Sequence, residues 1–471
     1  MFGIIKQRLS RLDSFLRTVL WLGGGATASQ FFFAVSLPIL ARLYEPAELG
    51  ILAMFMAVVT LLHTFFTLRY ELAIPLPEDN ATSGRLLLLS NGSATVGSTL
   101  FALLLFWNPN CFMSIVNLET VQGVSWMLPI GIGLAAINQS FYFYLVRQRL
   151  FPTIAVSRTC QAITTVLFQL VFSKYGITAL IGGQLIGQLV AMLILLSRSK
   201  EAFHGVNRLS DMYYAAVRYK KFPQYYLWSG LISSFSLQTP LIILSHYFGA
   251  TAVGYYALAY RVLSSPLSPI GQSIGHAYLS AVIQQRRSLR EITFYIYNKQ
   301  VDILIPICLL LCIIGSEITT FLLGDSWETT GILLQWMAPF IVLSFIATPL
   351  TELFTILEKQ HISTLYQTLL LIVRIVSLLL GVQTGNLVYT IAVFSLGNAL
   401  LWLCLIIFLF RISGNEPKKM LYPIRRFGWW VSIVPFALLF KISHNHLLSA
   451  AMFFIMIVLL FIYMCSIARK P

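Results

Sequence analysis

Two arginines lie inside long apolar stretches, Arg261 in AVGYYALAYRVLSSPLSP and Arg374 in LLLIVRIVSLLL. An ionisable side chain within a membrane-spanning helix costs at least ~2.5–3.5 kcal/mol, so its presence requires a reason. A guanidinium keeps its proton and presents a planar fork of donors that matches phosphate or carboxylate. We therefore interpret Arg261 as an anion ligand, with Tyr256 and Tyr260 beside it for hydrogen bonding or stacking, and Arg374 as a second anion ligand.

A structural role is the alternative for each arginine. Arg261 would then pair with a buried acid such as Glu352, and Arg374 would extend its side chain towards the membrane interface. The acids Glu352 and Asp302 have the same two interpretations. Each is either a binding site for a coupling proton or sodium ion, or the counter-charge of a buried arginine.

Charged residues also flank the first two apolar stretches. Arg42 is followed by Glu45 and Glu48, so it is either a substrate contact or half of a local ion pair. Arg69 and Glu71 follow the second stretch and form either a structural ion pair or part of a cytoplasmic entrance. We expect a gating or coupling role for Arg69 and Glu71.

The composition indicates what kind of protein positions these residues. Hydrophobic residues are 58% of the chain and charged residues only 10%, against roughly 25% charged in an average soluble domain. This predicts a polytopic membrane protein. The net charge of +15 is scattered between apolar stretches, so it indicates helix orientation and not nucleic-acid binding. The absence of Walker, GxSxG, HExxH and CxxC motifs predicts no enzyme activity, no cofactor and no metal.

The hydropathy pattern predicts an all-α integral membrane protein. A spanning helix needs about 20 apolar residues. Fourteen stretches qualify: 18–41, 47–68, 86–107, 124–146, 152–173, 176–197, 225–247, 252–273, 301–323, 331–354, 362–381, 386–410, 428–441 and 447–467. Residues 1–17 have apolar positions at helical spacing among basic ones, which predicts a helix on the membrane surface.

The basic residues predict the orientation of these spans. With the N-terminus in the cytoplasm, 27 of the 32 Lys and Arg residues fall in cytoplasmic segments and three in outer links. Both termini are then cytoplasmic. The longest outer link, residues 108–120, has no basic group and is too short to form a catalytic domain.

Part of the chain recurs about two hundred residues later. Gly50 and Ala53 correspond to Gly254 and Ala257 at an offset of 204. Such a repeat predicts two similar lobes with a site where they meet. The lobes are expected at 1–197 and 225–410, six spans each, with a linker at 198–224 and an extra helix pair at 411–471.

The segments PILARLYEPAELG, from Pro38, and RYELAIPLP, from Arg69, resemble the polysaccharide-unit flippases of the multidrug/oligosaccharidyl-lipid/polysaccharide exporter superfamily. The resemblance implies alternating access, with an undecaprenyl-diphosphate-linked oligosaccharide moved to the periplasmic leaflet of a bacterial inner membrane. It implies a role in polysaccharide assembly such as that of O-antigen or lipopolysaccharide, with membrane lipids and other assembly proteins as partners. No further arginine lies deep in the first two spans, which departs from the lipid II flippase branch.

Two other functions are compatible with this sequence. A multidrug cation antiporter would use the same fold but needs carboxylates in its cavity, which are scarce in these spans. A subunit of a polysaccharide assembly complex that does not itself transport is the second alternative.

Overall fold

A computed structural model describes residues 29–30, 32–108, 124–199, 209–265 and 289–421, with isolated positions at 267, 271, 274, 275 and 278. The predicted surface helix at 1–17, much of the first span and the last two spans lie outside the described residues. The described ranges include most of the predicted spans two to twelve.

Ten helices of the described ranges are long and apolar enough to cross a membrane. They are α2 (Pro46–Phe66), α3 (Asn80–Trp107), α4 (Met127–Arg147), α5 (Phe151–Val171), α6 (Ile177–Ser197), α8 (Leu227–Ser264), α9 (Leu289–Leu323), α10 (Glu328–Leu350), α12 (Gln360–Val382) and α13 (Leu387–Ile412). The shorter helices are α1 (Phe32–Leu43), α7 (Leu209–Arg218) and α11 (Glu352–Ile356). The all-α, multi-pass membrane architecture is confirmed, while the total of fourteen spans stays a prediction.

Local capping explains where the first helices begin. Pro46 occupies the first turn of α2, where its missing N–H costs nothing. The backbone N–H of Glu45 donates to Glu48 Oε2 at 3.0 Å. At the start of α3, Asp79 Oδ2 accepts from the backbone N–H of Thr82 at 2.7 Å. These bonds satisfy amide groups that have no partner within the helix.

The seventh and eighth predicted spans are separated at Gly249. Helix α8 continues from Leu227 to Ser264 with one non-helical residue, Gly249, at φ 78° and ψ −177°. An L-amino acid rarely adopts this positive φ, whereas glycine does so readily. The expected link of several residues is therefore a one-residue break, with one arm of α8 on each side.

Helix α9 begins earlier than the hydropathy pattern predicts. The expected span starts at residue 301, whereas the helix starts at Leu289. Residues 289–300 are polar enough to escape a hydropathy criterion, yet they continue the backbone helix. Asp302 is therefore not at the head of its helix, as its place at the start of the apolar run suggested, but thirteen residues inside it.

The two repeated segments cross each other at their glycines. A Cβ atom at Gly50 would collide with the carbonyl oxygen of Ala250, and one at Gly254 would collide with the carbonyl oxygen of Pro46. Gly50 and Gly254 are themselves 204 residues apart, the offset of the sequence repeat, and so are Pro46 and Ala250. The crossing is therefore reciprocal, as expected when two equivalent segments pack about a pseudo-twofold axis.

The described residues form two compact units, one ending at Ala257 and the other beginning at Leu258. The boundary between these units falls inside α8. The predicted lobe boundary at 198–224 concerns the sequence repeat and stays a prediction.

Candidate functional site

Arg261 lies one turn before the end of α8 and its side chain is exposed. Tyr260, the preceding residue, is 38% exposed. Tyr256 lies one turn earlier and is only 4% exposed, so its ring belongs to the packed interior. Of the two tyrosines expected beside Arg261, the structure leaves Tyr260 accessible to a ligand.

Arg374 is buried on α12, with 8% of its surface exposed. Its Nε donates to Asn398 Oδ1 of α13 at 3.3 Å, and Asn398 Nδ2 donates to the carbonyl oxygen of Phe394 at 2.8 Å. Asn398 thus holds the guanidinium in place from the neighbouring helix. The side chain therefore does not extend to the interface, which was one of the two interpretations of Arg374.

The charge of Arg374 reaches two tyrosines of the same unit. Its guanidinium interacts electrostatically with the hydroxyl groups of Tyr260 and Tyr366. Since Tyr260 is adjacent to Arg261 in the chain, Arg374 lies within electrostatic range of the residue next to Arg261. This juxtaposition could not be read from their separation of 113 residues in the sequence.

An apolar cavity of about 460 Å³ begins next to Arg261 on the same helix. The residues that line it come from the end of α8, from the isolated positions after α8, and from α9 and α10: Val262, Leu263, Leu267, Gly271, Ile274, Tyr295, Ile296, Lys299, Gln300, Ile303, Leu304, Ile307, Leu311, Val342 and Phe345. The lining on α9 runs from Tyr295 to Leu311, about 24 Å along the helix. Lys299 Nζ lies 5.7 Å from the centre of the Tyr295 ring, so this apolar cavity has a cation near one end.

The two predicted acids of this unit have different surroundings. Asp302 is buried on α9, with 7% exposed. Glu352 is half-buried at the start of α11 and, within the described residues, forms no ion pair. Glu352 is therefore not the counter-charge of Arg261 in the described part of the chain.

The first unit contains the predicted Arg69–Glu71 pair. Arg69 Nη1 donates to Glu71 Oε1 at 3.4 Å, and Glu71 is 1% exposed. Burial raises the pKa of the Glu71 carboxyl, and the nearby Arg69 charge opposes that rise. Gly230 makes room for the pair, because a Cβ atom there would collide with the Arg69 guanidinium.

Arg42 lies at the end of α1 with its side chain exposed. Glu48, one of its two expected partners, accepts the backbone N–H of Glu45 at the start of α2. A capping role therefore accounts for Glu48.

Comparison with known proteins identifies the family. The family described as "Polysaccharide biosynthesis protein" matches residues 39–332, more than half of the chain. The chain belongs to this polysaccharide biosynthesis family. No curated protein sequence matches it.

Solved structures share the fold of this family member. The lipid II flippase MurJ in an inward closed conformation matches with a TM-score of 0.75 and 12% identity, over 94% of this chain and 99% of that one. An inward-facing multidrug resistance MATE transporter of the MOP superfamily matches with a TM-score of 0.57 and 12% identity, over 84% of this chain and 94% of that one. A MOP superfamily transporter from Pyrococcus furiosus matches with a TM-score of 0.58 and 11% identity, over 84% of this chain and 95% of that one. The resemblance seen in the sequence is confirmed at the level of family and fold.

Sequence reasoning about this polysaccharide biosynthesis protein missed three residues. In the sequence Asn398 is only one amide in an apolar run, and Lys299 is a cation at the edge of one. The third is Arg158, which the structure places inside α5. Within the described ranges no group of three His, Cys, Asp or Glu side chains is placed to hold a metal ion.

Proposed function

We propose that this protein is a flippase that moves a lipid-linked oligosaccharide across a bacterial inner membrane. The cargo is a repeat unit on undecaprenyl diphosphate, and alternating access carries it from the cytoplasmic to the periplasmic leaflet. Membership in the polysaccharide biosynthesis family supports a glycan cargo. The observation that carries the proposal is the position of Arg261 beside the apolar cavity, on one turn of α8.

This arrangement suits an amphipathic anion. The guanidinium groups of Arg261 and Arg374 bind the diphosphate, for which a planar fork of donors is well matched. The apolar cavity takes part of the hydrocarbon chain, because its lining along α9 extends about 24 Å in a membrane whose hydrocarbon core is about 30 Å thick. Tyr260, which precedes Arg261 in the chain, adds a hydroxyl within electrostatic range of Arg374 for the first sugar or the phosphate.

The transport cycle needs a source of energy other than ATP, since the chain has no Walker loop. A coupling proton or sodium ion binds at Asp302 or Glu352 in this proposal, and the Arg69–Glu71 pair controls the cytoplasmic side. Other polysaccharide assembly proteins supply the cargo and remove it.

Reconstituted protein tests the proposal directly. Liposomes that contain the purified chain and a fluorescent lipid-linked glycan are exposed to a membrane-impermeant quencher, and the rate at which the glycan changes leaflet is measured. We expect Arg261→Gln to slow the exchange more than tenfold and Arg411→Gln to leave it unchanged, since Arg411 is an exposed cation at the end of α13. Normal exchange by Arg261→Gln rejects the diphosphate role.

The buried Asp302 favours one competing function, export of organic cations. The same liposomes separate the two functions when they are loaded with a cationic dye. Release of dye that depends on Asp302, without exchange of the glycan, would identify a drug antiporter.

A further inference from the structure

A polar pocket of about 200 Å³ lies between helices α4, α5 and α6 of the first unit. Its polar lining is Asn138, Gln139, Tyr142, Arg158, Gln161 and Gln188, with Ser157 beside them. Polar side chains inside spanning helices are costly and face other protein groups or a water-filled space. Such a concentration of amide groups is therefore unexpected for helices that only pack against one another.

Two glycines of α6 bring the walls of this polar pocket together. A Cβ atom at Gly187 would collide with Thr165 Oγ1 and lie 2.9 Å from the carbonyl oxygen of Gln161. A Cβ atom at Gly183 would lie 2.9 Å from the carbonyl oxygen of Thr165. Helices α5 and α6 therefore approach at backbone distance. Gln188, the residue after Gly187, is held beside α5 as a result.

Two buried acceptors in the pocket lack a hydrogen-bond partner. Asn138 Nδ2 donates to the carbonyl oxygen of Gln188 at 2.9 Å, which fixes the amide of Asn138. Its Oδ1 and the Oε1 of Gln188 are buried and accept no hydrogen bond, and Gln188 is 5% exposed. An unsatisfied buried polar atom costs about 1–3 kcal/mol, so a ligand that donates to both oxygens gains this energy back.

The pocket is also suited to a negative charge. The guanidinium carbon of Arg158 lies 4.9 Å from the centre of the Tyr142 ring, and the side chain is exposed. Among the described lining residues there is no aspartate or glutamate. A ligand in the pocket therefore meets one fixed positive charge next to two acceptors.

The size and depth of the pocket narrow the choice of ligand. About 200 Å³ corresponds to roughly seven water molecules at ~30 Å³ each, which is the space of one sugar ring with its hydroxyl groups. Arg158 lies seven residues inside α5, about 11 Å from the helix start, and Leu195 of the lining lies near the end of α6. The pocket thus occupies the half of the helices that the basic residues predict to be cytoplasmic.

We propose that the pocket between α4, α5 and α6 is a binding site for a phosphorylated polyol. The phosphate pairs with Arg158, and two hydroxyl groups donate to Asn138 Oδ1 and Gln188 Oε1. The same chemistry is present in a sugar phosphate of a lipid-linked glycan and in the glycerophosphate headgroup of a phospholipid. The site belongs to the first unit and does not depend on the transport function proposed for Arg261 and Arg374.

Binding of soluble probes to the purified full chain in detergent tests this site. Glucose 1-phosphate and glycerol 1-phosphate represent the two sources, and glucose and inorganic phosphate are the partial ligands. We expect saturable binding of glucose 1-phosphate at least tenfold tighter than that of either partial ligand. Glucose 1-phosphate binding tighter than glycerol 1-phosphate binding assigns the site to a glycan, and the reverse order assigns it to a phospholipid headgroup.

Variants locate the binding in this pocket. We expect Arg158→Gln to weaken glucose 1-phosphate at least tenfold and to leave glucose unchanged, and Gln188→Leu to weaken both. The unliganded Gln188→Leu protein should be at least as stable as the wild type, because the variant removes an unsatisfied acceptor, so lost binding will not reflect unfolding. Arg149→Gln, which changes an exposed cation outside the pocket, is the matched control.

Two results overturn the proposal. One is the absence of saturable glucose 1-phosphate binding to the wild-type protein. The other is binding that survives both Arg158→Gln and Gln188→Leu. Neither result bears on glycan exchange in liposomes, which tests the transport function separately.

Discussion

The crossing of the two repeated segments makes Gly50 the most sensitive position that we can identify. A methyl group at Gly50 meets the carbonyl oxygen of Ala250, which is helix backbone and cannot rotate away. Overpacking of this kind costs typically 1–3 kcal/mol, and we take about 3 kcal/mol because the obstacle is rigid. The better helix propensity of alanine returns about 1 kcal/mol. Gly50→Ala should therefore lower the free energy of unfolding by about 2 kcal/mol.

Gly92 provides the matched control, because it lies inside α3 and a methyl group added there would have no neighbouring atom within 4 Å. Gly92→Ala should raise the free energy of unfolding by about 1 kcal/mol. The two variants then differ by about 3 kcal/mol, which is roughly a hundredfold in the folding equilibrium. Reversible unfolding by SDS in mixed micelles, followed by circular dichroism, measures this difference.

The reciprocal contact adds a second measurement. Gly254→Ala should destabilise as much as Gly50→Ala, because its methyl group meets the carbonyl oxygen of Pro46. The double variant should lose less than the sum, since helices already forced apart leave space for the second methyl group. If Gly50→Ala proves as stable as Gly92→Ala, the two segments do not cross at these glycines and our reasoning is refuted.

Two further predictions concern buried charges. Burial raises the folded-state pKa of the Glu71 carboxyl above its ordinary value of 4.5. The contribution of this group to the free energy of unfolding is therefore complete below pH 4.5 and is lost as the pH rises through the folded-state pKa. Glu71→Gln should remove this pH-dependent loss, measured by SDS unfolding between pH 4 and 8, whereas a variant of an exposed acid, Glu78→Gln, should retain it. Asn398→Leu should lower the free energy of unfolding by about 2 kcal/mol, because Arg374 loses a buried acceptor. Adding Arg374→Leu to the Asn398→Leu variant should recover part of that loss. If the double variant is only as stable as Asn398→Leu alone, Asn398 does not support the Arg374 guanidinium.

The membrane class and most helix positions were predictable from the sequence. Helices α2, α4, α5 and α6 start and end close to the predicted limits, because a run of about 20 apolar residues is a local property of the chain. Helix α3 ends at the predicted residue but starts six residues earlier. The predictions failed where a helix and its apolar part differ in length. The polar start of α9 at Leu289 is the clear case. In α8 the predicted division is present, but the link is the single residue Gly249 and not several residues.

The candidate site was predictable only in part. Arg261, Arg374 and the Arg69–Glu71 pair were recognisable because a charge in or beside an apolar run is conspicuous on its own. The amide Asn398 was not, since asparagine in a spanning helix has many uses and only its contact with Arg374 distinguishes it. Tyr256 is buried and Tyr260 is accessible in the structure. The sequence does not distinguish the two tyrosines, which lie one helical turn apart.

The sequence by itself determined that this protein crosses the membrane many times and carries cations within its apolar helices, because hydropathy and charge accumulate along the chain one residue at a time. Its motifs also indicated the family. Only the tertiary structure decided that Gly50 meets Ala250, that Asn398 supports Arg374, and that Asn138, Arg158 and Gln188 share a pocket. The physical reason is that these residues belong to different helices, and the packing of those helices alone determines which side chains come within contact distance.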